Sequence, residues 1–207
     1  MAVITFSRQF GAGGRTLGRM IAKELDFVYL DEVIITEIAK KANVSKEWVK
    51  SMERNVGGAL SKLFAIMLNK DYMTRLIGET KGYLDENVYL EVLQEIITES
   101  ANRDNVIIMG RGGQYILADH PNTLHVHLVS DMAHRIEFMQ QFYKLDESKA
   151  KQAVIIGEKK RAGFFSKFGK DDYDTPHLYH LVLNMSRLTL EDAQDTICHL
   201  VKKKMIL

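Results

Sequence analysis

Short apolar runs alternate with helix-like segments along this chain. The runs, rich in β-branched residues, cover residues 3–6, 27–30, 106–109, 124–129 and 179–183. Each has the length typical of a buried strand. Between them apolar residues recur at a spacing near 3.6, as at Leu17, Ile21 and Leu25. This order predicts an α/β fold in which helices cover both faces of a parallel five-stranded sheet and ligands bind beyond the carboxyl ends of the strands.

The pattern changes between about residues 45 and 100, where helical spacing is almost continuous. This stretch includes the piece GALSKLFAIMLNKDYMTRLIG, which is apolar and contains methionine. A helical insertion that packs on the core is the simplest interpretation; a homodimer surface and a mobile substrate cap are the alternatives. Because the chain has only two prolines and no Gly/Ser-rich linker, we predict a single domain over residues 1–207.

Composition narrows the classes of partner. The chain has 207 residues, 46% of them apolar, with a formal net charge of +1. Such a balance gives no general attraction to nucleic acid or to membranes, so an anion site must come from a local cluster of cations. The single Cys198 excludes an intrachain disulfide. With no signal-peptide pattern and no run of about 18 apolar residues, we expect a cytoplasmic protein that binds neither membrane nor nucleic acid.

The stretch SRQFGAGGRTLG follows the first predicted strand and opens the first predicted helix. The amides of such a turn and the positive end of the helix converge on one point, where a phosphate can bind. Its glycines allow close approach of the backbone. The alternative is a tight strand-to-helix turn without a ligand. The predicted phosphate cradle comprises Arg8, Gly11, Ala12, Gly13, Gly14, Arg15 and Thr16.

Four segments together resemble one protein family. The segment ITFSRQFGAGGRTLGRMIAKEL is similar to the opening of the cytidylate kinase-like family, which is related to the nucleoside monophosphate kinases. The segments VIIMGRGGQYILADHP and LHVHLVSDMAHRIEFM resemble its third and fourth strand motifs, and EKKRAGFFSKF with YHLVLNMSRLTLEDA resembles its lid and closing strand-helix unit. The resemblance implies a P-loop, nucleoside-monophosphate-kinase-like three-layer sandwich with a lid at about residues 157–172. It also implies ATP and Mg²⁺ as cofactors.

The loop lacks the lysine of conventional kinases of this class. Aligned without gaps, the lysine position falls on Gly14; shifted by one residue, it falls on Arg15, with Thr16 as the hydroxyl near Mg²⁺. Both registers are open at this stage. Lysine carries a compact charge that bridges the terminal phosphates, whereas the guanidinium of arginine is a planar fork. Arg15 could therefore replace the lysine only if the backbone directed its side chain differently.

Further candidates follow other strands. Phosphoryl transfer mainly requires positioning and positive charge. The resemblance implies that Arg111, directly after the third strand, binds the acceptor phosphate; a structural salt bridge is the alternative. Arg161 aligns with a lid arginine that would clamp the transferred group. Asp31, after the second strand, could orient the acceptor or a magnesium-bound water, or could cap the next helix.

These patterns together predict ATP-dependent phosphoryl transfer to a small-molecule acceptor, and the resemblance implies a nucleoside monophosphate. Residues 32–36 replace the family set that holds a pyrimidine nucleotide, so a kinase for a different, non-nucleotide metabolite is an alternative. The missing lysine motivates a second alternative, a regulatory protein that binds nucleotide without catalysis.

Overall fold

A computed structural model describes residues 2–41, 43–47, 49–50, 86–167 and 169–204. Its centre is one five-stranded sheet in the order β2-β3-β1-β4-β5, in which every pairing is parallel. The strands are β1 (Val3–Arg8), β2 (Val28–Leu30), β3 (Val106–Met109), β4 (Thr123–Val129) and β5 (Leu181–Asn184). The predicted α/β fold with a parallel five-stranded sheet is confirmed.

Helices cover the sheet on both sides. They are α1 (Gly14–Leu25), α2 (Glu32–Lys41), α3 (Glu86–Ala101), α4 (Gly113–Ile116), α5 (Met132–Tyr143), α6 (Glu147–Lys167) and α7 (Leu190–Lys204), with a 3₁₀ turn at Pro176–Leu178. Helices α1 and α7 contribute to one hydrophobic core, and α2 and α3 to a second. No helix in the described part of the chain is long and apolar enough to cross a membrane.

The central strand supplies both cores because its side chains alternate. Ile4 and Phe6 lie in the core beneath α1 and α7, whereas Val3 lies in the core beneath α2 and α3. A strand buried on both faces reads as a continuous apolar run, which is why β1 was recognisable in the sequence. The parallel register pairs Phe6 with Met109 and Arg8 with Leu128. The loops after β1, β3 and β4 therefore leave the sheet at the same edge.

Two strands begin later than predicted. The Phe27 amide donates to the Ala22 carbonyl at the end of α1, 2.9 Å away, so β2 starts at Val28. The Tyr179 amide is likewise engaged by the Pro176 carbonyl of the 3₁₀ turn, 3.0 Å away, and β5 starts at Leu181. In both cases a backbone bond that closes the preceding helical turn takes the first residue out of the strand.

The predicted insertion and lid are described only in part. Residues 51–85 of the insertion lie outside the described residues, and its described end forms α3. Residues 157–167 of the predicted lid are the second half of α6, a helix of 21 residues that starts at Glu147. Cys198 is buried in the core beside α1 and α7, where burial raises the pKa of its thiol.

Candidate functional site

The loop between β1 and α1 has the geometry of an anion cradle. Gly11 and Gly13 have φ angles of 89° and 79°, in the left-handed region that favours glycine. Helix α1 begins at Gly14, has no side-chain cap and carries no acidic residue in its first turn. The amides of that first turn have no acceptors within the helix, and they lie at its positive end. This is the arrangement expected of a phosphate site.

Two cavities meet at this loop. The first, about 180 Å³, lies between the loop and α5; the second, about 300 Å³, lies beyond the ends of β1 and β3 and beneath α6. Arg8, Phe10 and Arg15 line both cavities. The second is also lined by Ser7, Asp31, Met109, Gly110, Arg111, Gly157, Lys160, Arg161, Phe164 and Phe165. The structure thus brings together Arg8, Arg15, Asp31, Arg111 and Arg161, which lie far apart in the sequence.

Asp31 joins two of the arginines. Its carboxylate Oδ2 lies 2.8 Å from Nε of Arg15, and its Oδ1 lies 3.4 Å from Nη1 of Arg111. Arg111 Nη1 also donates to the Asp31 carbonyl at 2.5 Å. Asp31 is only 6% exposed and directly precedes α2. No amide in the described parts of the chain donates to its carboxylate, so the side chain acts here as an ion-pair partner and does not cap the helix.

The backbone around Arg111 is unusual. Gly110, Arg111 and Gly112 have φ angles of 74°, 52° and 72°, three successive left-handed residues. For a non-glycine residue this conformation costs about 1–2 kcal/mol. It leads the chain from β3 to the short helix α4 and leaves Arg111 directed at Asp31. Residues held in such a conformation are frequent at functional sites.

Arg161 is bound by carboxylates. Both of its Nη atoms contact Asp174, and Nη1 also lies 3.5 Å from Glu158. Nη2 donates to the Ser7 hydroxyl at the end of β1, 3.3 Å away. The guanidinium lies 4.8 Å from the ring centre of Tyr173. Burial, the largest single effect, would lower the pKa of Arg161, but the hydrogen bond to Asp174 and the negative charges of Asp174 and Glu158 together outweigh it, and the pKa is raised.

Glu158 of α6 reaches the loop itself, and the sequence analysis did not single it out. Its Oε1 accepts from the Phe10 amide and lies 3.2 Å from Nη1 of the buried Arg135. The Phe10 ring packs on Gly157, where a Cβ would collide with it. A carboxylate therefore receives one amide of the phosphate loop. The spacing of Glu158 and Arg161 along α6 was the available sequence signal.

Arg8 and Arg15 differ in their partners. Arg15 is 46% exposed and bonded to Asp31, with Glu32 3.9 Å away. Arg8 is partly buried at the end of β1, and its side chain has no hydrogen bond or ion pair to any of the residues that the structure describes. Desolvation lowers the pKa of Arg8 to about 10, which leaves it charged at neutral pH.

Thr16 lies half-buried in the first turn of α1 and lines the smaller cavity. Over the described ranges, no group of three or more His, Cys, Asp or Glu side chains is placed to hold a metal ion. The residues present suit a Mg²⁺ ion that takes one hydroxyl from the protein and other ligands from phosphate and water, as magnesium commonly does.

A third cavity adjoins the other side of the loop. It measures about 380 Å³ and includes Gly13, Phe138, Phe142 and Leu190 in its lining. The rings of Phe138 and Phe142 are stacked with centroids 4.2 Å apart. The lining also includes the polar residues His134, Glu137, Gln141, Thr189 and Glu191. Its aromatic part is suited to a planar heteroaromatic ring.

Known structures share this fold. A protein described as uncharacterized from Eubacterium ventriosum ATCC 27560 gives a TM-score of 0.68 at 15% identity, covering 98% of this chain and 99% of its own. Shikimate kinase from Bacteroides thetaiotaomicron gives 0.50 at 15% identity, covering 97% and 98%. A gluconokinase from Sinorhizobium meliloti 1021 gives 0.51 at 11% identity, covering 99% and 96%. At these identities the likeness shows the fold alone, that of the P-loop kinases.

The sequence comparison identifies the family. Among curated proteins no sequence gives a significant match to this chain. The cytidylate kinase-like family matches it over residues 3–187, which include the phosphate loop, Asp31, Arg111 and Arg161. Family and fold together support phosphoryl transfer as the class of chemistry. Because the match takes in most of the sequence, the chain belongs to the cytidylate kinase-like family.

Proposed function

We propose that this protein transfers the terminal phosphoryl group of ATP to a nucleoside monophosphate. The observation that carries the proposal is the 300 Å³ cavity beside the uncapped start of α1. Its lining includes one carboxylate, Asp31, and five cationic side chains: Arg8, Arg15, Arg111, Lys160 and Arg161. Such an excess of positive charge in a partly enclosed space stabilises the charge spread over a migrating phosphoryl group.

The donor nucleotide would lie along the loop. The amides of residues 13–16 bind its phosphates, and the Thr16 hydroxyl contributes to the magnesium site. The aromatic cavity at Phe138 and Phe142 accepts the base. Magnesium bound to ATP neutralises part of the phosphate charge. These residues hold the row of phosphates so that the terminal phosphate points into the cationic cavity.

The acceptor would lie on the β3 side of that cavity. Arg111 binds its phosphate, and Asp31 orients the acceptor through Arg15, whose Nε lies 2.8 Å from the Asp31 carboxylate. Arg111 and Asp31 already hold each other, so an acceptor phosphate replaces the Asp31 carboxylate as the partner of Arg111. Arg161, carried by α6, contacts the transferred group. Helix α6 covers the cavity, and this cover limits the access of water and favours transfer over hydrolysis.

A second candidate acceptor is a small, multiply charged metabolite that is not a nucleotide. The same cavity supports it, because about 300 Å³ with five cations in its wall would fit a compact anion. The two candidates share the donor site and differ only in the acceptor.

The deciding experiment measures ADP formation from MgATP. CMP, dCMP, UMP, AMP and GMP are each offered, beside a panel of phosphorylated and carboxylated metabolites and a control without acceptor. Turnover that depends on one monophosphate and drops about 100-fold in Arg111→Ala is expected. Arg103→Ala, which removes an exposed arginine in the turn after α3, is the matched control and should retain full rate.

Other outcomes would overturn the proposal in distinct ways. Turnover only with a non-nucleotide anion would show that the acceptor is not a nucleoside monophosphate. Binding of MgATP without turnover on any acceptor would identify a regulatory nucleotide-binding protein. Undiminished turnover in Arg111→Ala would remove that residue from the acceptor site.

A further inference from the structure

We propose that Arg8, from the end of β1, takes the place of the missing P-loop lysine, and that Gly14 is a glycine because Arg8 occupies its side-chain space. This inference rests on the proposed binding of ATP at the loop. It chooses between two cations, Arg8 and Arg15, that the sequence places on the same loop.

The first step is the space at Gly14, where alignment without gaps puts the lysine. A Cβ built on Gly14 would lie 2.9 Å from Cγ of Arg8 and 3.3 Å from both its Cβ and its Cδ. All three nearest atoms thus belong to Arg8. Gly14 has no positive φ angle, so its backbone would accept any L-residue. The stem of Arg8, and not the backbone, excludes a side chain at residue 14.

The second step is where the guanidinium lies. A Cβ on Gly110, after β3, would collide with Nη1 of Arg8. The side chain therefore crosses from the first turn of α1 to the end of β3. It lines both the cavity at the phosphate loop and the cavity that holds Asp31 and Arg111. That is the boundary between donor and acceptor, where a group in transfer must pass.

The third step is the state of the charge. Arg15, Arg111 and Arg161 each contact a carboxylate. No such contact or hydrogen bond joins the Arg8 side chain to the residues described here. Burial lowers the pKa of Arg8, Asp31 partly opposes this, and the positive charges of Arg111 and Arg15 add to the lowering. A desolvated cation that has no bonded partner gains the most free energy when an anion binds, because the anion replaces the favourable interactions with water that burial removed.

Arg15 fits the role less well. Its Nε is bonded to Asp31, and its side chain is nearly half exposed. From the second position of α1 it extends toward the acceptor side and contacts residues at the start of α2. A return to the donor phosphates would break its bond to Asp31. Arg8 needs no such exchange of partners.

The test moves the charge from one residue to the other. Four proteins are compared with the natural one: Arg8→Ala, Arg15→Ala, Gly14→Lys, and the double variant Arg8→Ala/Gly14→Lys. Dissociation constants are measured for MgATP, for inorganic tripolyphosphate and for adenosine, together with thermal unfolding in the absence of ligand. Arg103→Ala is the control for loss of an arginine outside the site.

We expect Arg8→Ala to bind MgATP and tripolyphosphate about 10- to 100-fold more weakly, the range for a lost hydrogen bond to a charged group. Adenosine binding should not change. Gly14→Lys alone should lower the melting temperature, because two stems compete for one space. In the double variant, MgATP affinity should recover at least tenfold relative to Arg8→Ala.

Three results would overturn the inference: unchanged MgATP affinity in a folded Arg8→Ala protein, a larger loss in Arg15→Ala than in Arg8→Ala, or a folded double variant that binds no better than Arg8→Ala. If the natural protein itself binds neither MgATP nor tripolyphosphate, the proposed function fails first, and this outcome is distinct because it precedes any substitution.

Discussion

The site has a side formed by the loop before α1, proposed to bind the donor and called here the donor side, and a side formed by the second half of α6, predicted as the lid and called here the lid side. The two differ in how their charges are satisfied. On the donor side, the first turn of α1 has no cap, and Arg8 has no bonded partner among the described residues. On the lid side, Arg161 is held by Asp174 and Glu158, and Arg135 by Glu158. The donor side can therefore receive an anion without rearrangement, whereas the lid side must exchange one anionic partner for another. This difference predicts that binding and turnover respond to different substitutions.

The largest expected effect is a loss of turnover when the guanidinium of Arg161 is removed from the lid side. Arg161→Ala should lower kcat about 100-fold, the usual cost of removing one donor to transition-state charge, while MgATP affinity changes little. Arg161→Lys, which keeps the charge but not the fork, should restore part of the rate. Steady-state kinetics and equilibrium binding separate the two quantities. An Arg161→Ala protein with natural kcat would remove the clamp assignment.

The next largest effect should come from a substitution that disturbs the backbone of the donor side. Gly13 has φ 79°, and a Cβ there would lie 3.2 Å from the Phe138 ring and 3.3 Å from Leu190. Gly13→Ala should cost about 2 kcal/mol of stability, roughly half from the left-handed conformation, and should weaken MgATP binding about tenfold.

Gly169→Ala is the matched control for this substitution. Gly169 also has a positive φ, 62°, but a Cβ there meets nothing within 4 Å. It should show only the conformational cost, about 1 kcal/mol, and natural affinity. Equal effects in the two variants on denaturant unfolding and on binding would mean that the loop tolerates a side chain at residue 13.

A smaller effect of opposite sign should follow from Glu158→Gln. Its carboxylate accepts from the Phe10 amide, just before the loop residues proposed to bind phosphate, and competes with any phosphate for Arg161. Removing the charge should tighten MgATP binding about fivefold, equivalent to roughly 1 kcal/mol. It should also lower the melting temperature, because Arg135 is buried and loses its charged partner. Glu24→Gln, at an exposed carboxylate paired with Lys202, is the control; equal MgATP affinity in both variants would show that Glu158 does not compete.

The smallest effect concerns pH and the histidine beneath the lid. Burial lowers the pKa of His127, although Asp174, whose Oδ1 lies 3.3 Å from Nε2, opposes the shift. As pH falls below about 6.5, the unfolded chain binds the proton first, so the folded state loses stability.

His127→Phe, which keeps an aromatic ring against Tyr179, should flatten this dependence. We expect the melting temperature between pH 7.5 and 5.5 to fall about 2–4 °C less than in the natural protein. The exposed His199→Gln should leave the slope unchanged. A slope equal to the natural one in His127→Phe would assign the acid sensitivity to other groups.

The three central strands, β1, β3 and β4, were predictable because they are buried on both faces. The strand predicted at residues 106–109 coincides with β3, because a run of four apolar residues between polar turns is typical of a strand buried on both faces. The starts of β2 and β5 were less predictable, because a single backbone bond from the preceding turn decided each. The extension of α6 into the predicted lid, as far as residue 167, could not be read from the sequence either. Apolar residues recur only weakly at helical spacing along this charged helix.

Within the site, residue types were readable and partnerships were not. Spacing after strands indicated the glycines of the loop, Asp31 and Arg111, because parallel strands end at one edge. The bond between Arg15 and Asp31 and the contact of Glu158 with the Phe10 amide join segments more than ten residues apart. Such contacts depend on how helices lie on the sheet, which local pattern does not encode.

The sequence by itself determined the succession of strands and helices along the chain and the glycine-rich loop that opens α1, because these follow from local periodicity and from backbone freedom. The candidate arginines were indicated by their positions near predicted strand ends and by the family resemblance. Only the tertiary structure decided which arginine fills the space beside Gly14 and which ones are bound by carboxylates. The physical reason is that its surroundings decide what a charge can bind: packing against Gly14 and Gly110 leaves Arg8 partly buried with no bonded partner among the described residues, while contact with Asp31 satisfies Arg15.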